Sequence, residues 1–263
     1  MTEPRNFDAS ILNKLGALED KFAAMGQDLS AYLDGLLYAD YLTYWDYIHL
    51  DTLLSLQNPK TPFPDEEIFI MYHQITELYF KLALHELQQL AEHPPTTAAP
   101  MLERIRRVNR YFEALTHSFE VMVDGMDQAQ FLKFRMSLLP ASGFQSAQYR
   151  MIEIRGTSFD RLLHADHREA ATDHTADDLP ELFNHIYWKA GAVELATGNK
   201  TLTLKQFEKK YGRVLLDLAC TSWGNNVRTM WNGLPETERT YELREQLRWL
   251  DVNVNINWPL SHY

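Results

Sequence analysis

The stretch that most constrains this chain is EEIFIMYHQITELYFKLALHEL, Glu66 to Leu87. Ile68, Met71, Ile75, Leu78, Leu82 and Glu86 recur at helical spacing, and Phe69, His73, Thr76, Phe80 and Leu84 form an adjoining stripe. Apolar side chains therefore cover well over half of the circumference, the pattern of a helix enclosed by others. Gln74, Glu77, Lys81, His85 and Gln88 are left as a narrow polar strip. His73 lies on the apolar arc near its edge, an unusual place for an imidazole.

A second stretch, FLKFRMSLLPASGFQSAQYRMIEI from Phe131 to Ile154, reads as its counterpart. Phe131, Arg135 and Leu138 share a helical face, which puts the Arg135 guanidinium among Phe134, Leu138 and Leu139. There it needs a carboxylate or another strong acceptor to offset desolvation. Pro140 lacks an N–H and disfavours helix at Leu139, so the helix stops, Ser142 and Gly143 turn the chain, and Ser146 opens a new helical run. A buried His73, a buried Arg135 and a small-residue turn suit a polar small molecule with an aromatic body.

FIMYHQITELYFKLALHEL, FRMSLLPASGFQSAQYRMIE and, upstream, YWDYIHLDTLLSLQ resemble the tryptophan 2,3-dioxygenases in order and spacing, over roughly Tyr44 to Glu153. The resemblance implies an all-α helical bundle and an oxygenase acting on tryptophan or a related aromatic or indole amino acid. By this resemblance His73 matches the distal histidine that orients the indole nitrogen, Phe69 the aromatic wall one turn earlier, and Arg135 the anchor of the substrate carboxylate. Ser142 and Gly143 match the turn over the heme. Phe131 stands where the family often has Tyr, so one hydroxyl near the carboxylate is missing. Tyr44, Tyr47 and Ile48 match positions that reach into a neighbouring subunit's pocket, which implies a homotetramer in which residues 1–48 help complete a neighbour's site.

Members of the resembled family hold heme b through a histidine on a late helix. With Gln206 and Phe207 aligned to that helix, the iron-binding position falls at Val214, and no histidine occurs between His185 and His262. Tyr211, Cys220, Met230 and His185 are the other conceivable ligands. Two readings follow. One is an oxygenase with heme b on an unassigned ligand; the other is a homologue without heme that binds an aromatic amino acid or performs a different reaction on it. A third reading, an interaction protein built from aromatic segments, is disfavoured because an empty pocket would strand the charge of Arg135.

A length of 263 residues with 45% hydrophobic content supports one helical domain over 1–263. The net charge of −11 and the lack of any Lys/Arg block argue against nucleic acid or an anionic membrane as partner. The single Cys220 excludes an internal disulfide framework, and neither a signal peptide nor an apolar run long enough for a bilayer is present, so a cytoplasmic protein is expected.

Asp8 or Ser10 can cap a first helix that ends near Gly26, and a second begins near Asp28. Gln57 to Asp65 holds three prolines and reads as a loop into the central helix. A long helix over Met101 to Met122 follows, with Arg104, Arg106, Arg107 and Arg110 on its solvated side. The segment from Gly156 to Asp178 is a polar surface connection; His164 and His167 within it lack a third well-spaced metal ligand. Thr203 can cap a helix carrying Phe207, Tyr211, Val214, Leu215 and Leu218, and the alternation of Val252, Val254, Ile256 and Trp258 predicts a short extended segment at the end.

Overall fold

The computed structural model describes residues 7–39, 42–138, 145–168, 174–193 and 199–261. Among them the protein is all-α, with no strand and two isolated bridges, Leu163 to Ile186 and Val193 to Lys200. No helix among the described residues is long and apolar enough to cross a membrane. Within the expected single-domain extent the backbone divides into two compact units, one ending at Leu56 and one beginning at Gln57.

The N-terminal unit holds α1 (Ala9–Ala24), α2 (Leu29–Leu37), α3 (Tyr44–Tyr47) and α4 (Leu50–Leu53). Asp8 caps α1 by accepting from the Ser10 N–H, and Asp28 caps α2 in the same way from Ser30. Gly26 takes a left-handed φ of 66° between the two helices, a conformation open to glycine at little cost. Phe22 and Tyr32 join α1 to α2 with ring centroids 5.1 Å apart, yet neither helix contains a buried residue.

The C-terminal unit is built on α5 (Asp65–Glu92), followed by α6 (Ala98–Ser118), α7 (Glu120–Val123), α8 (Gln128–Phe134) and α9 (Ala147–Gly156). The short α10 (Ala165–Arg168), α11 (Leu179–Leu182) and α12 (Tyr187–Ala190) lead to α13 (Leu202–Ser222), α14 (Val227–Gly233), α15 (Tyr241–Val252) and α16 (Trp258–Leu260). Asp65, Glu66 and Glu67 fill the first turn of α5, where carboxylates suit the helix dipole. Glu66 is buried and accepts from the Lys60 N–H at 2.8 Å, the Thr61 N–H at 2.7 Å and the Thr61 hydroxyl at 2.5 Å. The proline-rich loop is thereby fastened to the helix it enters.

Tyr72, Thr76, Phe80, Ala83, Leu87 and Leu90 make the buried stripe of α5, and the last four pack in one core with Met101, Ile105, Val108, Phe112 and Leu115 of α6. Each large side chain enclosed there contributes about 1.5–3 kcal/mol relative to exposure. The sequence placed Met71, Ile75, Leu78 and Leu82 on a stripe enclosed by other helices. They are instead 39%, 45%, 48% and 45% exposed, because α6 and α9 cover α5 from the other side. Arg104 and Arg107 do not simply face solvent: they reach the buried Glu86 carboxylate at 2.8 and 3.4 Å.

Two further expectations are corrected. The helix expected to start at Thr203 is capped by Thr201, whose hydroxyl accepts from the Leu204 N–H. The tail expected to be extended is helical: α15 continues through a π-helical turn, Asn253–Asn257, into α16. Buried Asn253, Val254 and Trp258 fall at helical intervals, while Ile256 is exposed, so the alternation in the sequence does not reflect a pleat. An amide ladder ties this turn to α6. Asn109 donates to the Gln246 carbonyl at 2.9 Å, Asn253 donates to Asn109 at 3.3 Å, and Asn257 donates to Asn253 at 2.9 Å.

Candidate functional site

The N-terminus of α5 is tied to α8, and this sets the site. The Asp127 N–H donates to the Asp65 carboxylate at 2.6 Å, and the Asp65 N–H donates to Gln130 at 3.3 Å. Asp127 also caps α8 through the N–H groups of Ala129 and Gln130. Seven residues of helix then deliver Phe131 and Phe134 to α5 before the chain tightens into a 3₁₀ turn at Arg135–Leu138.

The result is a cluster of rings. Phe69 lies 4.0 Å from His73, 6.2 Å from Phe131 and 5.8 Å from Phe134, and Phe131 meets Phe134 edge-on at 5.5 Å, all between centroids. The Arg135 guanidinium carbon stands 5.8 Å from the Phe131 ring, within cation–π range. The sequence-predicted Phe69, His73, Phe131 and Arg135 are thus brought together. Phe134 completes the cluster; it lay in the second key stretch but was read only as a neighbour of Arg135.

His73 Nδ1 is 2.7 Å from the Phe69 carbonyl oxygen. A carbonyl can only accept, so Nδ1 carries the proton, and in the neutral ring Nε2 is the lone-pair nitrogen. A ring set in this way can accept a hydrogen bond from a ligand N–H.

Burial is the correction. Both His73 and Arg135 were expected to be buried, and both are exposed in this chain. Helix α8 is too short to roof α5 beyond its first turns, and the exposed Met71–Ile75–Leu78–Leu82 stripe continues from the same uncovered region of α5. Arg135 therefore keeps solvent as its acceptor, and the carboxylate demanded by the expected burial is not required.

In the N-terminal unit Tyr44 and Tyr47 are exposed and Ile48 is half-buried. His49 turns the chain between α3 and α4 in the left-handed region, φ 52°, a conformation uncommon for a residue other than glycine. Ser142 and Gly143 lie outside the described residues.

The alternative iron ligands are scattered. Val214 is 51% exposed on α13, a helix that packs against α9 and α11. Tyr211 packs on Phe207 at 5.3 Å, Cys220 is exposed, Met230 belongs to the main core, and His185 lies against His167 at 4.0 Å. No cluster of three or more His, Cys, Asp or Glu residues suited to a metal occurs among the described residues.

A different late helix runs toward the site. Arg106 pairs with Glu242, Asn109 with Gln246, and Phe119 lies 6.3 Å from Trp258, so α15 and α16 run parallel to α6. Helix α6 is antiparallel to α5, since Arg104 meets Glu86, Phe112 meets Phe80 at 6.0 Å, and the Leu115 carbonyl accepts from the Tyr72 hydroxyl at 3.3 Å. The C-terminal helix therefore heads for the end of α5 that bears His73. Ring contacts mark the route from Trp258 to Phe119, from Phe119 to Tyr72 at 5.9 Å, and from Tyr72 to His73 at 6.1 Å. His262 follows two positions after Leu260 and lies outside the described residues. The sequence signal missed was this one: Trp258 stands four positions before His262 in a segment read as extended, and the described part of that segment is helical.

The sequence profile of the tryptophan 2,3-dioxygenase family matches residues 35–185. A tryptophan 2,3-dioxygenase of Ruegeria sp. (strain TM1040) is 46% identical over 117 residues, covering 44% of this chain and 42% of the relative. Another, of Pseudomonas aeruginosa (strain UCBPP-PA14), is 41% identical over 231 residues, covering 84% of this chain and 75% of the relative. A third, of Bacillus anthracis, is 35% identical over 148 residues, covering 54% and 53%. The matches to the Ruegeria and Polaromonas relatives span about two fifths of those proteins' length.

Proposed function

Because the chain belongs to the tryptophan 2,3-dioxygenase family, we propose that it is an oxygenase of that type, acting on tryptophan or a related aromatic amino acid. The observation that carries this reading is the joint placement of Phe69, His73, Phe131 and Arg135 in one cluster of rings whose His73 and Arg135 are exposed. The Arg135 fork binds the substrate carboxylate, Phe69, Phe131 and Phe134 give the ring an apolar wall, and His73 Nε2 accepts from the indole N–H. That last contact fixes the ring's orientation and needs the tautomer that the Phe69 carbonyl imposes. Phe131 supplies only apolar contact, so the carboxylate depends on Arg135 more heavily than in a site with a Tyr there.

The cofactor of this reading is heme b, and the residue assigned to hold it is His262. The donor is the right kind, and the described helix before it is directed toward Tyr72 and His73. When bound, the heme supplies dioxygen activation. The chain's own part is to bind, orient and shield the amino acid.

His73 and Arg135 are open to solvent in the single chain, and dioxygen chemistry in such a site calls for a cover. We assign that cover to a homotetramer, in which the exposed Met71, Ile75, Leu78 and Leu82 stripe lies between subunits. Tyr44, Tyr47 and Ile48 then contribute to a neighbour's pocket. Oxygen uptake by the heme-loaded protein should match the loss of indole absorbance when L-tryptophan is added. Tryptophan binding without oxygen uptake would reassign the chain to a heme-independent function of the same pocket.

A further inference from the structure

A cavity of about 1090 Å³ lies in the C-terminal unit, between α9, α14 and α15. None of Phe69, His73, Phe131 or Arg135 lines it. Its floor is apolar: Leu87, Ile152, Leu247 and Leu250 contribute, and the Trp231 ring stands at one wall. Its rim carries six arginines, Arg161, Arg168, Arg228, Arg239, Arg244 and Arg248, gathered in a chain whose net charge is −11.

The arginines are not there to satisfy neighbouring acids. Arg161 is 3.5 Å from Asp160 and Arg248 is 2.8 Å from Glu245, but Arg168, Arg228, Arg239 and Arg244 have no carboxylate partner among the described residues. Arg168 donates through Nε to the Leu163 carbonyl at 2.8 Å, and Arg239 donates through Nε to the Leu234 carbonyl at 3.1 Å and through Nη2 to the Asn232 carbonyl. These bonds use one edge of each guanidinium, hold it in place, and leave its remaining N–H groups for another acceptor. Arg244 lies 6.0 Å from the Trp231 ring. Two acids also line the cavity, and both are engaged: Glu153 by Arg150 at 2.7 Å, and Asp251 by Asn255 at 2.7 Å.

We propose that this cavity is a second ligand site, for a molecule with an apolar body and a phosphate or carboxylate group. The body lies on the leucine floor beside Trp231, and the anionic oxygens meet Arg239 and Arg244 at the rim. The Arg239 guanidinium, held by two carbonyls beside an apolar floor, is placed for a strong charge-assisted hydrogen bond, and Arg244 adds a second positive charge beside Trp231.

The test uses 1-naphthyl phosphate, 2-naphthoate and the uncharged 2-naphthalenemethanol as probes, with binding measured by calorimetry on the purified chain. Both anions should bind and the alcohol should not. Tighter binding of the phosphate assigns a phosphate ligand, and tighter binding of the naphthoate a carboxylate. Arg239→Gln and Arg244→Gln should each weaken the preferred anion by about tenfold or more. Arg239→Lys, which keeps the charge, should recover part of that loss. Arg135→Ala should leave the affinity unchanged, which separates this site from the one on α5. Equal binding of the alcohol, no loss in the glutamine variants with their circular dichroism intact, or no binding of any probe would each overturn the proposal.

Discussion

Replacing Arg150 by methionine removes one half of the most deeply buried ion pair among the described residues. Arg150 Nη1 lies 2.7 Å from Glu153 Oε2 and donates to the Tyr187 hydroxyl at 2.8 Å, with side-chain exposures of 8% for Arg150 and 3% for Glu153. The Tyr187 hydroxyl donates in turn to Glu153 Oε1. Its acidity is suppressed by burial first and by the Glu153 carboxylate second, so it remains a donor throughout the neutral range. The guanidinium is also sandwiched by rings, 4.9 Å from Tyr149 and 5.6 Å from Trp188. In Arg150→Met the Glu153 carboxylate stays buried with Tyr187 as its remaining donor from this network, and a buried charge so stranded costs about 3–5 kcal/mol. For a chain of this size that corresponds to a melting temperature lower by roughly 6–20 °C. Arg150→Met with Glu153→Leu removes both charges and should regain most of the loss. Urea unfolding of the wild type, both single variants and the double variant measures the cycle. A single-variant loss under about 1 kcal/mol, or a double variant as unstable as the sum of the singles, would refute the reasoning.

Leu78→Glu should leave the helical circular dichroism unchanged and convert the oligomer to a smaller species in sedimentation velocity; an unchanged sedimentation coefficient would remove the stripe from the interface. Glu66 is the acid-sensitive latch of α5. Burial alone would raise its pKa, but the Thr61 hydroxyl and the Lys60 and Thr61 N–H groups hold it below the ordinary 4.5. Its contribution is therefore complete above that value and is lost as pH falls through the lower folded pKa, so the stability difference between wild type and Glu66→Gln should shrink in acid rather than grow. Arg135→Ala should abolish carboxylate-dependent tryptophan binding, a loss of about tenfold or more, with oligomer size unchanged; equal affinity by calorimetry would take Arg135 out of the site.

The helical class, the cap at Asp8 and the helix start near Asp28 were legible from short-range spacing, whereas the grouping of Phe69 and His73 with Phe131 and Arg135, which lie on separate helices, was legible through the resemblance to the family. What spacing could not show was which of the apolar positions on α5 the rest of the chain covers. Met71, Ile75, Leu78 and Leu82 have the periodicity of a core stripe, yet α6 and α9 cover the other side of α5 and leave them exposed. The same ambiguity made His73 and Arg135 look buried. The C-terminal segment misled for another reason: the π turn at Asn253–Asn257 inserts a residue into the helical register, so the apolar positions fall out of phase and imitate an extended alternation. The alignment of Gln206 and Phe207 with the family's late helix put the iron-binding position on α13, where Val214 faces solvent.

The most direct test of the central claim is the visible absorption spectrum of protein produced with ample heme, recorded for the wild type and for His262→Ala with a pyridine hemochromogen assay alongside. The account predicts a Soret band with one heme per chain in the wild type and its loss in the folded variant. A band that survives in His262→Ala would place the iron on another residue, and a folded wild type that binds tryptophan with no band would contradict the heme-dependent oxygenase altogether.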